Sequence, residues 1–372
     1  MKKDPFSAIR PYKDEELPYA VNRILMNQGF IHSLANFITD ASLPATVKRI
    51  RKIKTCREMQ EEIFAPMIRT FVQRSVDELT YGGFENLDKN KSYLFIANHR
   101  DILLDSALMQ LYLINNGLPT TRSAIGDNLL SAPIYTDIAK ISNMFTVIRA
   151  NTPRTMLINS TLMSEYIRHS ICKEKISVWI AQRNGRTKDG VDRTDQGVIK
   201  MFGMSGPKDR VEALSELNIV PVSVSYEWEP CDTLKTLEIY ATGNGKPYVK
   251  RPGEDMNSIL TGILQEKGRV HFQICEPLKR DELEAFKDMP HSQFHRSVAK
   301  LIDRRICGGY RLFPNAYIAH DIRYGKAEYV DRYTKEQYDA FLNHMARLYD
   351  INANDVLKDI FLGIYCNPIA SK

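Results

Sequence analysis

The sequence predicts an α/β fold in which helices flank a mostly parallel central sheet, with helical regions at both ends of the chain. Short β-forming runs alternate with helical segments from about residue 80 to residue 279, and this alternation is typical of parallel sheets. The clearest strand, Ile219–Tyr226, is rich in β-branched residues. The 372 residues exceed what a single core comfortably holds, so we expect one large domain with appendages.

Helical patterning surrounds the alternating region. From about Glu15 to Leu79 the apolar residues recur at helical spacing, and the pattern returns to helix from Arg280 onward. We therefore predict three parts: a helical N-terminal region over residues 1–79, an α/β domain over residues 80–279, and a helical C-terminal region over residues 280–372.

Within the α/β region the predicted strands are short and apolar. They are a short strand ending in a turn within Thr80–Leu87, followed by Tyr93–Ala97, Thr121–Ile125, Met144–Ile148, Ser177–Ala181, Ile219–Tyr226 and Val270–Ile274. Helices are predicted between them at Leu103–Asn115, Pro133–Ile141, Thr155–Ile171, Val198–Met201 and Arg210–Leu217. The glycine-rich run Gly243–Lys246 is typical of a β-hairpin turn.

Composition indicates a folded cytoplasmic protein. The sequence has no run of 18 apolar residues, and its first residues lack the apolar stretch of a secretory signal peptide. The six cysteines lie far apart along the chain, which argues against both a zinc site and a disulfide framework. We expect neither a metal nor a cofactor.

A basic segment lies in the N-terminal region. Its six cations are Lys48, Arg49, Arg51, Lys52, Lys54 and Arg57. They are interleaved with Val47, Ile50 and Ile53, and this spacing predicts a basic amphipathic helix. Such a helix lies on an anionic membrane surface, or else packs on the core through its isoleucines. The patch has no interleaved aromatic residues, so nucleic acid is not expected as a partner.

Polar residues follow four of the predicted strands at the point where each strand ends. The first group is His99 with Asp101 and Asp105, either of which could orient the imidazole. The other groups are Gly126-Asp127-Asn128, Arg149, and the run Gln182–Gly190, which contains Gly185, Arg186, Thr187 and Lys188. The carboxyl ends of parallel strands share one edge of a sheet, and ligands bind at that edge.

These residue types suit one chemistry. Neutral imidazole is the natural general base near pH 7, and guanidinium groups bind phosphate in a bidentate manner. Each group also has a structural explanation: His99 as a bonded turn residue, Arg149 as a surface residue, and residues 184–190 as a solvated loop. The occurrence of all four groups at successive strand ends favours a site.

In this order, the residues resemble the glycerolipid acyltransferase family, which comprises glycerol-3-phosphate and lysophosphatidate acyltransferases. The matching blocks are Asn98-His99-Arg100 with a following aspartate, Gly126-Asp127-Asn128-Leu129, Phe145 to Arg149, Gly185-Arg186-Thr187-Lys188, and Ile219-Val220-Pro221-Val222. The similarity extends from about Gly83 to Glu227.

The resemblance implies a histidine base that deprotonates an acceptor hydroxyl for attack on an acyl thioester. His99 then acts as the base, and Asp105 is favoured slightly over Asp101 as its partner. The remaining implied site residues bind substrate: Arg149 and Arg186 the acceptor phosphate, Pro221 the acyl chain, and Asn128, Gly185, Thr187 and Lys188 as members of the binding blocks. The implied donor is acyl-CoA or acyl-carrier protein, and the implied acceptor is a phosphate-bearing glycerolipid at a membrane surface to which the protein binds peripherally.

Departures from the family pattern, in the first and third blocks among others, leave an alternative open. The family's aspartate position holds Leu104, with Asp105 one residue further on, and the third block has Arg183 and Asn184 where the family has an acidic residue and a glycine. The alternative is a non-catalytic lipid-binding or scaffold protein that retains the fold.

Overall fold

The computed structural model describes residues 4–35, 42–150, 152–243, 248–348 and 354–372. Within these ranges, seven strands form one sheet: β1 Glu78–Gly82, β2 Leu94–Ala97, β3 Arg122–Gly126, β4 Met144–Val147, β5 Val178–Ala181, β6 Ile219–Tyr226 and β7 Arg269–Ile274. Their order is β1-β7-β6-β2-β5-β3-β4, and the only antiparallel pair among them is β6 with β7. The predicted α/β class and mostly parallel sheet are confirmed.

Helices flank the sheet and occupy both ends of the chain. The N-terminal helices are α1 Leu17–Met26, α2 Gln28–Ala35, α3 Leu43–Ile50, α4 Cys56–Met59 and α5 Ala65–Ser75. Between the strands lie α6 Leu104–Asn115, α7 Pro133–Ile141, α8 Pro153–Arg168, α9 Gln196–Gly203, α10 Arg210–Ser215, α11 Asp232–Thr242 and α12 Glu254–Leu264. After β7 come α13 Arg280–Glu284, α14 His291–Gly308, α15 Pro314–Tyr324, α16 Lys335–Ala346 and α17 Asp355–Ser371.

The helical terminal regions are thus confirmed, whereas the division into three domains stays a prediction. None of the described helices is both long and apolar enough to cross a bilayer.

The central strands are buried on both faces. In β2, Leu94 and Ile96 belong to one apolar cluster, whereas Phe95 and Ala97 belong to the cluster on the opposite face. This alternation follows from the two-residue period of a strand. Every residue of β6 is buried, as its nearly continuous apolar sequence predicts for a strand covered by helices on both sides. The buried sheet gives the residues at its carboxyl edge a rigid base.

The basic segment does not form the single helix that its spacing predicts. Helix α3 ends at Ile50, and a new helix begins after Thr55. Thr55 accepts a hydrogen bond from the Glu58 amide at 3.0 Å, and the Glu58 carboxylate accepts one from the Lys54 amide at 2.7 Å. This capping arrangement fixes a helix start and so interrupts the segment. Ile50 and Ile53 are buried in the N-terminal core, as the core-packing alternative requires.

The predicted hairpin between β6 and β7 is wrong. Residues 244–247 lie outside the described ranges, but the nearest described elements on either side are the helices α11 and α12 rather than strands. The chain therefore leaves the sheet as a pair of helices and returns as β7. This pair reaches the polar groups at the carboxyl edge.

Candidate active site

His99 and Asp105 form a hydrogen-bonded pair where β2 leads into α6. His99 lies two residues beyond the end of β2, and Asp105 lies in the first turn of α6. The His99 Nδ1 atom is 2.8 Å from Asp105 Oδ2, and the two side chains are 16% and 0% exposed. The imidazole is thus held by a fully buried carboxylate while part of the ring still meets solvent.

Asp105 is itself fixed by three donors. The backbone amides of Arg100 and Asp101 donate to its Oδ2 atom at 2.6 and 3.0 Å, and the Tyr226 hydroxyl donates to Oδ1 at 2.7 Å. Burial, together with the nearby Asp105 carboxylate, raises the pKa of Tyr226 well above its usual value. The phenol therefore remains a donor at neutral pH, and the carboxylate is oriented before any substrate arrives.

Asp101 serves the helix rather than the imidazole. Its Oδ1 atom accepts hydrogen bonds from the amides of Leu103 and Leu104, both at 2.8 Å, and so satisfies donors at the start of α6. Residues 100–103 form a bend and a turn that take up the additional residue of this block. Geometrically, Asp105 is the partner of His99.

Helix α12 packs directly on Asp101. The buried Oδ2 atom of Asp101 has no hydrogen-bond partner among the described residues, and a Cβ atom added to Gly262 would lie 2.3 Å from it. Only glycine permits this approach. The helix therefore covers one side of the turn that carries His99.

Substituting Gly262 is expected to destabilise the fold. Because the added methyl group of Gly262→Ala collides with a buried carboxylate, we expect a loss of about 1–3 kcal/mol, which outweighs a helix-propensity gain of up to about 1 kcal/mol. Urea unfolding measures the change. Gly203→Ala is the matched control, since a Cβ at Gly203 meets nothing within 4 Å. Equal midpoints for the two variants would contradict the packing argument.

The loop after β5 lies against the His99 turn. The Thr187 amide donates to the His99 carbonyl oxygen at 2.7 Å, and the Thr187 hydroxyl donates to Asp192 at 2.5 Å. Arg186 is only 9% exposed, yet its buried Nη1 atom has no hydrogen-bond partner among the described residues. Gly185 adopts a φ of 74°, a left-handed conformation that favours glycine, and Lys188 pairs with Glu238 of α11. The backbone hydrogen bond of Thr187 thus places the loop that carries Arg186 next to the His99 turn.

Asn128 and Arg149 lie further along the same edge. Asn128 donates to Asp255 of α12 at 2.9 Å, while the Arg149 amide donates to Asp127 at 3.0 Å and its side chain is exposed. β4 is three strands from β2 in the sheet, a separation of about 14 Å. The described contacts do not join these two residues to His99.

Pro221 lies inside the sheet. It is in register with Ile96 of β2, and its carbonyl oxygen accepts a hydrogen bond from the Cys275 amide at 3.0 Å. Pro221 is therefore buried within the sheet, before the carboxyl edge at which His99 lies.

A buried ionic cluster beneath the site was not predicted. Arg100 contacts Asp192 at 2.7 Å and Glu229 at 3.3 Å, and Lys235 contacts Glu229 at 2.6 Å. Lys235 also donates to the Arg100 carbonyl oxygen at 2.7 Å. Burial alone would raise the pKa of Asp192, but Arg100 and further donors hold it below the usual value. Asp192, Glu229 and Lys235 are 92, 129 and 135 residues from Arg100 in the sequence, so no local pattern points to them. Only Arg100 lies in a motif that the sequence analysis found.

The described residues contain no group of three or more histidine, cysteine or acidic side chains that could hold a metal ion. All six cysteines are free thiols.

Comparison with known proteins identifies the family of the central segment. Residues 78–225 match the family model described as acyltransferase. This segment contains His99, Asp105 and the loop of Arg186, and it nearly coincides with the stretch in which the sequence resemblance was found. For residues 78–225, the resemblance predicted from the motifs is therefore confirmed at the level of an acyltransferase domain.

One solved structure similar to this chain is the 1-acyl-sn-glycerophosphate acyltransferase PlsC from Thermotoga maritima. The two share 15% sequence identity with a TM-score of 0.35, over 77% of this chain and 94% of the other. No curated protein sequence matches the chain.

Proposed function

We propose, on the premise that residues 78–225 of this chain belong to the acyltransferase family, that the protein transfers a fatty acyl group from an acyl thioester to a hydroxyl of a phosphate-bearing glycerol acceptor. Such a reaction belongs to phospholipid biosynthesis. The observation that carries the proposal is the 2.8 Å contact between His99 Nδ1 and the buried Asp105 carboxylate. A paired, partly exposed imidazole at a strand end is the arrangement that a general base requires.

In the proposed mechanism, Asp105 accepts the Nδ1 proton of His99 in a hydrogen bond, which leaves the Nε2 lone pair free. Nε2 takes the proton of the acceptor hydroxyl as the hydroxyl oxygen bonds to the thioester carbonyl carbon. The tetrahedral intermediate then collapses, the carbon–sulfur bond breaks, and the imidazolium returns its proton to the thiolate. Asp105 stabilises the imidazolium between these two proton transfers.

Arg186 is proposed to bind the acceptor phosphate. Its buried Nη1 atom lacks an acceptor among the described residues, and leaving such a donor unpaired costs free energy that a phosphate oxygen would recover. Gly185 and Thr187 shape the loop that holds it. Lys188 already has a carboxylate partner in Glu238, so its contribution requires that pair to open.

The other substrate contacts are less direct. Arg149, exposed near Asn128, is proposed to meet the headgroup of a lipid acceptor, and Pro221 is proposed to border the acyl chain from inside the sheet. The donor is proposed to be acyl-CoA or acyl-carrier protein, and assays that offer each in turn decide between them.

Arg186→Ala is expected to raise the KM for the acceptor by about 10- to 100-fold with a smaller change in kcat, because a charge-assisted contact to the phosphate is lost. Steady-state kinetics at varied acceptor concentration measure this. Arg193→Ala, an exposed arginine of the same loop, is the control and should leave KM unchanged. Equal KM values for the two variants would remove Arg186 from the phosphate site.

The alternative, a non-catalytic lipid-binding or scaffold protein, does not require the His99–Asp105 pair. The three donors that fix Asp105 support the catalytic function, because they orient the carboxylate that holds the imidazole. A scaffold protein does not require an oriented base. Purified protein supplied with an acyl thioester and a glycerol-phosphate acceptor should release free thiol and form an ester. Absence of both products with every donor would favour the scaffold.

A further inference from the structure

The N-terminal end of α8 exposes three apolar side chains in succession. Met156, Leu157 and Ile158 are 59%, 60% and 56% exposed, and every residue from 152 to 158 is exposed. Three consecutive helical positions span about 200° of the helix circumference. This helix end therefore projects from the body and has no face packed against the core.

Positive charge surrounds these side chains. Arg154 lies on the same helix end and Arg149 lies just before it, and both are exposed. The sequence has no aspartate or glutamate from residue 150 to residue 164. Among the described residues, neither arginine side chain forms a direct ion pair, although Arg149 lies close enough to Asp255 to help lower the pKa of that carboxyl group.

A second exposed segment of the same character precedes α12. Val249 is 82% exposed, and Lys250 and Arg251 beside it are exposed as well. Asp255 connects this segment to the sheet edge, since its carboxylate pairs with Lys250 and accepts a hydrogen bond from Asn128. The Arg149 side chain reaches the same place, with its Nε atom 3.9 Å from the Cβ position of Gly126, at the end of β3.

We propose that these two segments form a surface that docks the protein on an anionic lipid membrane. We call it the tip surface; it comprises Arg149, Arg154, Met156, Leu157, Ile158, Val249, Lys250 and Arg251. The apolar side chains would enter the boundary between headgroups and acyl chains, while the cations meet lipid phosphates. A projecting helix end fits a bilayer better than it fits a protein partner, which would need a groove or a flat face.

The location of the tip surface connects membrane docking with the proposed active site. It lies at the carboxyl ends of β3 and β4, the same sheet edge that bears His99 at the end of β2. A protein resting on this surface would hold the base close to the headgroup layer, where a lipid acceptor presents its hydroxyl. This connection rests on the proposed function, whereas the docking itself does not.

Flotation with phosphatidylcholine vesicles, with and without phosphatidylglycerol, tests the docking. The variant Met156→Ser/Leu157→Ser/Ile158→Ser is expected to bind the anionic vesicles at least about tenfold more weakly than the wild type, because it loses the apolar area that enters the membrane. The matched control is Val330→Ser/Val356→Ser, whose residues are 56% and 55% exposed elsewhere on the protein. It should bind as the wild type does.

Equal binding by the triple variant and the wild type would overturn the proposal. A variant of the basic segment, Lys48→Gln/Arg49→Gln/Arg51→Gln/Lys52→Gln, should retain most of the binding. If that variant alone abolishes binding, the anchor is the basic segment and the proposal also fails.

Leu157→Trp supplies a second measurement that does not depend on affinity. After the wild-type signal of Trp179 and Trp228 is subtracted, its fluorescence should shift to shorter wavelength when anionic vesicles are added, since the new indole leaves water. An unshifted spectrum from vesicle-bound protein would show that another surface faces the membrane.

Two acceptors separate this proposal from the proposed function. With glycerol 3-phosphate in solution the triple variant should transfer acyl groups as the wild type does, whereas with lysophosphatidate in vesicles it should be at least about tenfold slower. If the wild-type protein transfers nothing, the proposed function fails, and flotation alone still decides the docking.

Discussion

His99→Ala is expected to lower the acyl-transfer rate by about 100- to 10,000-fold while leaving the fold intact. The variant removes the atom that would take the hydroxyl proton, while three other donors still hold the buried Asp105 carboxylate in place. Initial rates of thiol release, with circular dichroism as a check on folding, measure the effect. A turnover equal to that of the wild type would eliminate the proposed base.

The two aspartates provide a sharper form of the same experiment. Asp105→Asn should lose at least about 100-fold in rate, because an amide stabilises the imidazolium much less than a carboxylate does. Asp101→Asn should stay within about tenfold of the wild type, since its side-chain oxygen can still cap α6. If Asp101→Asn were the slower variant, Asp101 and not Asp105 would be the partner in solution.

Much of the fold follows from local sequence patterns. Helix α7 and strand β6 have the predicted bounds. Pro133 marks the start of α7, and a continuous β-forming run defines β6. The basic segment departs from the single helix that its charge and spacing predict, because the Thr55-x-x-Glu58 capping signal starts a new helix within it. Helices α11 and α12 are not evident from the sequence because the glycine-rich run between them is also typical of a hairpin turn.

The candidate site was predictable only in part. Its strand-end residues could be found from the sequence, since parallel strands present their carboxyl ends at one edge. The choice between Asp101 and Asp105 could not, because it depends on how the bend and turn at residues 100–103 take up the additional residue. Tyr226 is separated from its partner Asp105 by 121 residues, so only the folded sheet brings them together.

Asp192→Ala is expected to cost about 3–5 kcal/mol of folding free energy, the largest stability loss we predict. Asp192 is 3% exposed, and its carboxylate accepts hydrogen bonds from Asn98, Arg100 and Tyr310. Removing it leaves the buried Arg100 guanidinium with one carboxylate partner among the described residues, Glu229 at 3.3 Å. Urea unfolding measures the loss.

Two further variants keep the experiment decisive if Asp192→Ala does not fold. Tyr310→Phe removes one hydrogen bond to the same carboxylate and should cost about 0.5–3 kcal/mol. Glu276→Ala breaks the exposed pair with Lys279, which are 67% and 65% exposed, and should change stability by less than about 1 kcal/mol. If Tyr310→Phe matched the exposed variant, the cluster would contribute no more than surface charge does.

Activity should fall along with stability in Tyr310→Phe, although none of the described contacts joins Tyr310 to His99 or Asp105 directly. Asp192 also accepts the Thr187 hydroxyl, and the Thr187 amide donates to the carbonyl oxygen of His99. Tyr310 belongs to the C-terminal region, so its hydrogen bond ties that region to the turn that carries the base. We therefore expect kcat to decrease by a few-fold at temperatures where the variant is fully folded. An unchanged kcat would mean that the cluster supports the fold alone and does not position His99.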